Sequence, residues 1–211
     1  MSRALIVKGA DFRSNAVAKV DDNLPFDARV EYIQSDGTAY IDTGIKASDN
    51  LQFEIKINIP AEKVVPFGAQ NSSSVRLSLI VNNSSNQFNW RWGTQIVNGT
   101  HSETALSGDL VISNLASENV CSVNQYSATA QDNTFAIDYN LFLFGRNSSG
   151  TNGEIPTGMK LIHAKFYNAG VLVRDYIPVR DGQVGYLYDR VTKTLFGNAA
   201  QSGAFVVGSD K

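Results

Sequence analysis

One short segment of the sequence resembles a catalytic motif. Asp42-Thr43-Gly44 has the composition of the aspartic protease triplet, in which two carboxylates share a proton and activate water. A protease of 211 residues would need a second triplet or a dimer built about this one, and the sequence contains no second copy. Ile45 also replaces the small residue that usually follows. We therefore interpret the segment as a strand end with a glycine turn, because so short a motif often occurs by chance.

Glycoside hydrolysis would need two carboxylates about 5–10 Å apart on either side of the scissile bond. On a strand, such a pair would appear as acids two residues apart, since alternate residues share a face. The sequence has no alternating acids of this kind, and glutamates such as Glu31, Glu54, Glu103, Glu118 and Glu154 stand alone. The pattern therefore disfavours a glucanase-type glycosidase, and we predict no catalytic residue.

The histidines and the cysteine predict no metal site. Neither His101 nor His163, the only histidines, has a second ligand at metal-binding spacing. Cys121 is the single cysteine, so an intrachain disulfide and a cysteine-based metal cluster are both excluded. Its apolar neighbours indicate a buried strand residue. We expect neither a metal nor another cofactor.

The aromatic residues give the one positive indication of a ligand. Phe88, Trp90 and Trp92 share one face of a strand, and Arg91 lies on the other. Exposed indoles stack against sugar rings, and asparagine-rich loops can bind sugar hydroxyls. The candidate carbohydrate-binding residues are Trp90, Trp92, Arg91 and Asn147. The alternative is that the aromatic row belongs to the core, which is the more frequent place for such a row.

The elements that must position these residues are short strands. In residues 51–59 apolar and polar side chains alternate, which predicts a strand with one buried face and one solvated face. Turn signals such as Ser35-Asp36-Gly37 separate further predicted strands at residues 30–34, 38–43, 75–81, 87–92, 119–126, 141–144, 160–167, 171–177, 185–188 and 204–207. This spacing predicts an all-β fold, a two-sheet antiparallel jelly-roll sandwich with little helix.

Composition and charge disfavour several classes of protein. The charged fraction is 18% and the net charge is −2, so there is no electrostatic basis for binding nucleic acid or an anionic membrane. No apolar run is long enough for a signal peptide core or a membrane span. We therefore expect no nucleic acid and no membrane among the partners.

The first residues differ in character from the rest. Residues 14–20 could form one or two helical turns behind a serine cap, and Asp21-Asp22-Asn23-Leu24-Pro25 reads as a polar linker. We predict an N-terminal arm over residues 1–25 and one β-sandwich domain over residues 26–211, a size that a single large β domain commonly has.

Two stretches carry a resemblance to a known family. The first is the run Glu-Tyr-Ile-Gln-Ser-Asp-Gly-Thr-Ala-Tyr-Ile-Asp-Thr-Gly at residues 31–44. The second begins with Phe-Gly-Arg-Asn at residues 144–147 and continues through residues 165–180 and 185–198. Together they resemble the concanavalin A-like lectin/glucanase (laminin-G-like) domains of phage and prophage structural proteins of gut bacteria. Residues 7–17 also resemble a leader of Bacteroides-associated phage proteins.

The resemblance implies a two-sheet jelly roll in a virion assembled in the bacterial host cytoplasm. It implies a fibre or capsid decoration of the head or tail that binds other virion proteins through residues 1–25. A homo-oligomer, dimer or trimer, and contacts with host glycans are further expectations. It transfers no sugar site, because the acidic strand motif of glucanase members is missing. The signature residues, which we interpret as fold determinants, are Tyr40, Arg174, Asp175, Arg180 and Tyr188.

The leading hypothesis is therefore a non-enzymatic virion structural protein. The alternative is a carbohydrate-binding module on a bacterial cell surface, which predicts sugar affinity for the isolated chain. A glycoside hydrolase is the third and least favoured hypothesis, and it would require turnover of a β-glucan.

Overall fold

The computed structural model describes residues 24–71 and 74–211. Within these ranges the chain forms strands, turns and loops, and no helix that could cross a membrane is found there. The helical turns predicted at residues 14–20, and the arm apart from residues 24 and 25, lie outside the described residues. The strands in chain order are β1 (Ala28–Arg29), β2 (Ile33–Asp36), β3 (Ile41–Ser48), β4 (Leu51–Ile59), β5 (Phe67–Gln70), β6 (Arg76–Ser84), β7 (Gln87–Gly93), β8 (Gln95–Thr100), β9 (Gly108–Ser113), β10 (Val120–Val123), β11 (Tyr126–Thr129), β12 (Ala136–Leu143), β13 (Arg146–Ser148), β14 (Thr151–Gly153), β15 (Thr157–Asn168), β16 (Val171–Asp181), β17 (Val184–Asp189), β18 (Thr194–Phe196) and β19 (Phe205–Val207).

The strands form two sheets. The first sheet has the order β11-β10-β9-β4-β15-β16-β17-β18, with β1 beside β16 and β2 between β15 and β19. The second has the order β14-β13-β5-β6-β7-β8, and β12 joins β3 to β5. Neighbouring strands are antiparallel apart from β13, which runs parallel to β5. The predicted all-β, two-sheet antiparallel sandwich is confirmed.

The core lies between the sheets because each strand turns alternate side chains inwards. On β4, the apolar residues at alternate positions from Leu51 to Ile59 are all buried. The Phe53 ring reaches the second sheet, where its centroid lies 4.7 Å from that of Phe67 and 6.0 Å from that of Trp90. Aromatic contacts therefore join the two sheets.

Some local predictions differ from the structure for identifiable reasons. The single strand predicted over residues 119–126 is a hairpin of β10 and β11, and Asn124 at the turn has a left-handed backbone with φ 53°. Asparagine tolerates that conformation better than most residues. The strand β8 was not predicted, because it lies at the edge of its sheet and exposed polar residues obscure its alternation.

A buried carboxylate closes the turn after β17. Asp189 is fully buried, and its Oδ1 accepts hydrogen bonds from the backbone N–H groups of Asp175 at 2.8 Å and Val191 at 3.0 Å. Its Oδ2 accepts a hydrogen bond from the Thr192 hydroxyl at 2.7 Å and lies 3.6 Å from Arg174 Nε. These contacts join β16, β17 and the following turn.

The other signature residues also contact the fold itself. Tyr40 stacks on Phe142 with a centroid distance of 4.6 Å, and Tyr188 packs on Phe26 at 5.0 Å. Arg180 donates two hydrogen bonds to Asp210, at 2.7 and 2.6 Å. Their interpretation as fold determinants agrees with these contacts.

We expect Asp189→Asn to lower the free energy of unfolding by about 3 kcal/mol, because an amide would direct N–H groups towards buried donors. Urea unfolding followed by tryptophan fluorescence measures the change. Asp181→Asn is the matched control, since Asp181 is exposed at the end of β16 and its replacement should change the free energy by less than about 0.5 kcal/mol. Equal stability of the two variants would contradict the structural role of Asp189.

Candidate functional site

Two of the four predicted carbohydrate-binding residues lie in the core. The exposed fraction is 0% for Trp90 and 2% for Trp92. Trp90 packs edge-on against Phe53, its centroid lies 5.5 Å from that of Trp92, and its indole N–H donates to the Asn119 carbonyl at 3.2 Å. The ring faces are therefore covered and do not form a platform for a sugar. The alternative expectation, that the aromatic row belongs to the core, is confirmed.

Asn147, another predicted binding residue, holds a turn together. It is buried, its side-chain amide donates to the Asn140 carbonyl at 2.9 Å, and its side-chain oxygen accepts from the Gly150 N–H at 2.8 Å. The side chain is thus occupied by the backbone of β12 and of the turn between β13 and β14. Its polar side chain serves the local backbone, which is the ordinary use of asparagine in turns.

Arg91 is the predicted binding residue that lies on an accessible face. Because Trp90 and Trp92 point into the core, Arg91 between them points to the opposite side of the second sheet, which we call the outer face. On this face Ser78 of β6 lies opposite Arg91 on one side and Gly68 of β5 on the other. The outer face is therefore the place to look for a binding site.

Three arginines converge on this part of the outer face. Arg91 and Arg76 come from β7 and β6, and Arg146 comes from β13. Arg146 lies over Gly68, since a Cβ added there would be 2.9 Å from Arg146 Cγ and 2.5 Å from Ser78 Cβ. We call the five residues Gly68, Arg76, Ser78, Arg91 and Arg146 the arginine cluster. Sequence reasoning identified only Arg91 as a site residue, because the others reach it through pairing between strands that no local pattern shows.

The arginine cluster holds buried hydrogen-bond donors that have no partner in the described part of the chain. These are Ser78 Oγ, the Nε atoms of the three arginines, and Arg146 Nη1. Ser78 is 0% exposed, although it points away from the core. One carboxylate is nearby, that of Glu154, which lies 2.9 Å from Arg146 Nη2.

The pKa values of two arginines in the cluster, Arg91 and Arg146, are lowered. Burial lowers the pKa of Arg91, and repulsion from Arg146 and Arg76 lowers it further. Burial also lowers the pKa of Arg146, which Glu154 partly counteracts. Desolvation is thus the main cause of the lowered pKa of both Arg91 and Arg146.

A polar cleft of about 190 Å³ lies at the end of the aromatic row. It is lined by Trp92 together with carboxylates and amides that include Asp49, Asn119, Asp132 and Asn133. Trp92 Nε1 is buried and has no acceptor among residues 24–71 and 74–211. The cleft is small and lies on loops rather than on a sheet face.

The protease-like triplet does not have the local structure that the sequence predicted. Asp42-Thr43-Gly44 lies inside β3, which continues to Ser48, so the predicted strand end is wrong. Gly44 has φ 67° at an irregular pairing with β12, where the register shifts. The Asp42 carboxylate accepts hydrogen bonds from the Gly44 N–H at 2.9 Å and from the Asn140 amide at 3.2 Å. It therefore stabilises a bulge.

Cys121 and His163 belong to residue types that bind metals, and both contact other parts of the fold. In the described ranges, no group of three or more His, Cys, Asp or Glu side chains is placed to hold a metal ion. Cys121 is buried in the core, and burial raises the pKa of its thiol. His163 Nε2 lies 2.8 Å from Asp175 Oδ1, while Arg190 Nη2 lies 2.7 Å from Asp175 Oδ2. Arg174 and Asp175 thus make polar contacts of the kind that the signature predicts.

The fold and the site define an all-β sandwich with a basic cluster on one outer face. A scan against protein-family models found no matching family, and a search of curated proteins found no significant match. The resemblance to concanavalin A-like domains of phage proteins therefore rests on the sequence stretches quoted above and stays a prediction.

Replacing Trp90 should unfold the protein rather than remove a ligand contact. We expect Trp90→Ala to lower the free energy of unfolding by about 3–5 kcal/mol, because it leaves a large cavity between the sheets. Ile96→Ala is the control, since Ile96 is 54% exposed on the neighbouring strand and should cost less than about 0.5 kcal/mol. Chemical denaturation measures both, and a Trp90→Ala variant of normal stability would contradict the burial.

The Asp175 cluster predicts a loss of stability in acid. Burial alone would raise the pKa of Asp175, but hydrogen bonds with His163 and Arg190 outweigh it and hold the pKa below its ordinary value. The ionised carboxylate therefore stabilises the fold above the unfolded pKa of about 3.9, and this contribution is lost as pH falls through the folded pKa. Unfolding free energies measured from pH 6 to pH 2.5 should show Asp175→Asn most destabilised at pH 6 and approaching the wild type below pH 4. A difference that stays constant with pH would refute this linkage.

Proposed function

We propose that this chain is a non-enzymatic structural protein of a phage particle, whose sandwich contacts glycans of the bacterial host surface. One observation carries the proposal: the charged signature residues are used to hold the fold together. Asp175 pairs with His163 and Arg190, and Arg180 pairs with Asp210. Residues that carry a family resemblance and serve the fold support a structural role better than a catalytic one.

The carboxylates nearest to strand ends and bulges are poor candidates for catalysis. Asp189 accepts hydrogen bonds from three backbone N–H groups, and Asp42 accepts one from that of Gly44. Such bonds hold each carboxylate against the local backbone, whereas a glycosidase needs two carboxyl groups that face the scissile bond of a substrate. This use of the carboxylates supports the non-enzymatic part of the proposal.

In the particle, residues 1–25 would dock to another virion protein while the sandwich projects outwards. Fibres and decorations of particles are usually symmetric, so we expect a dimer or trimer of this chain.

A carbohydrate-binding module on a bacterial surface is the second candidate. The polar cleft at Trp92 favours it, because carboxylates and amides beside an indole are groups that bind sugar hydroxyls. This function requires a surface location, whereas the leading proposal requires incorporation into particles.

Mass spectrometry of purified particles tests the leading proposal directly. We expect the chain to co-purify with intact particles and a deletion of residues 2–20 to abolish incorporation, since the arm is the predicted anchor. Deletion of the exposed tail residue Lys211 serves as the control and should leave incorporation unchanged. Absence of the chain from particles, with recovery at the cell surface, would favour the binding module instead.

A glycan array probed with the full-length chain tests the second half of the proposal. We expect binding to glycans from host surface preparations. No binding by a chain that is present in particles would leave a decoration without a receptor role and would overturn the glycan contact.

A further inference from the structure

We propose that the arginine cluster on the outer face binds the anionic group of an acidic glycan, a carboxylate or sulfate carried on a sugar. The glycan part of this inference rests on the proposed function, whereas the anion site rests only on the geometry of the cluster. It differs from the predicted sugar site, whose tryptophans lie in the core.

The register of four strands places the donors around one point. Ser78 is directly opposite Gly68 on one side and Arg91 on the other, and Arg146 lies over Gly68. Gly68 and Ser78 are thus buried at the centre of the cluster, and the arginines of three strands lie around them. Guanidinium groups bind planar carboxylates and sulfate-like oxyanions through two parallel hydrogen bonds.

The buried donors without a partner indicate that the site lacks a hydrogen-bond acceptor. Ser78 Oγ and the Nε atoms of Arg76, Arg91 and Arg146 are buried and have no acceptor among the described residues. Native proteins pair nearly all such buried donors, so a cluster of unpaired donors calls for an acceptor from outside the chain. An oxyanion offers several acceptor lone pairs at once and could satisfy more than one of these groups.

The balance of charge at the cluster also favours an anionic ligand. Glu154 is the carboxylate paired with the cluster, and it also accepts a hydrogen bond from Lys63 at 3.2 Å. Arg76 and Arg91 take part in no ion pair among the described residues. Positive charge therefore exceeds negative charge at this point, although the whole chain carries a net charge of −2.

The surroundings of the cluster fit a sugar ring better than a polyanion. Ile96 lies beside Arg91 at one end of the row, and Phe142 with the stacked Tyr40 lies beside Gly68 at the other. Three strands lie between these two ends of the row, which are therefore about 20 Å apart at the usual spacing. Ile96 is 54% exposed whereas Phe142 is 4% exposed, so Ile96 is the apolar residue that a ligand can contact. One compact basic point beside an exposed apolar side chain suits a sugar that carries an isolated charge, whereas nucleic acid would need positive charge spread along the face.

Ser78→Ala and Arg91→Gln are the informative variants. Ser78 Oγ has no partner to lose, so Ser78→Ala should keep the melting temperature of the wild type while removing one donor to the anion. Arg91→Gln removes a positive charge and its paired donors. Arg29→Gln is the matched control, because Arg29 is an exposed arginine on β1 of the first sheet.

Isothermal titration calorimetry of the full-length chain tests the inference with four probes. These are an oligogalacturonate, a sulfated oligosaccharide of equal length, a neutral oligosaccharide of equal length and a short single-stranded DNA. We expect at least one acidic oligosaccharide to bind about tenfold or more tightly than the neutral one. Arg91→Gln and Ser78→Ala should each weaken that binding about tenfold, the scale of one hydrogen bond to a charged group, and Arg29→Gln should leave it unchanged.

The outcomes separate this inference from the proposed function. Equal binding of neutral and acidic oligosaccharides would overturn the anion site and leave the glycan contact standing. No binding of any probe by a chain that still enters particles would overturn the anion site and leave the structural role. Tighter binding of DNA, or an equal loss of affinity in Arg29→Gln, would overturn it in favour of unspecific charge attraction.

Discussion

The packing of the two sheets against each other determines which side chains lie in the core and which lie on the outer faces. A strand has two faces, and β7 gives one of them to the core through Phe88, Trp90 and Trp92. Arg91 must then lie on the outer face, beside the residues that neighbouring strands place there. The core contact between Phe53, Phe67 and Trp90 thus decides which side chains can meet a ligand.

The charged side chains of the two sheets differ in how they are paired. On the first sheet, acids and arginines are matched in pairs such as Arg190 with Asp175 and Arg180 with Asp210. On the second sheet, Arg146 pairs with Glu154, whereas Arg76 and Arg91 have no ion-pair partner among the described residues. The first arrangement stabilises a fold, while the second leaves donors unsatisfied, which is a cost in stability that a binding function would explain.

Sequence patterns predicted the fold class well and the site poorly. The alternation at residues 51–59 predicted β4 with both of its ends, because side-chain period is a local property. The arginine cluster depends on pairings that join residue 68 to residue 78 and residue 78 to residue 91, and no local pattern reports such register. The same limit explains why Trp90 and Trp92 were candidates for a surface site, since alternation identifies a shared face without showing which face is buried.

The order of pairing in the first sheet has a consequence for biosynthesis. The strand β2 pairs with β19 through Ser35 and Phe205, and β4 pairs with β15 through Leu51 and Asn168. A ribosome adds about 5–20 residues each second, so β2 waits on the order of 10–30 s for its last partner. For much of that interval the edge of β4 that pairs with β15 has no partner, and long-range pairing of this kind folds slowly. The nascent chain is therefore prone to aggregation until β15 and β19 have joined the first sheet.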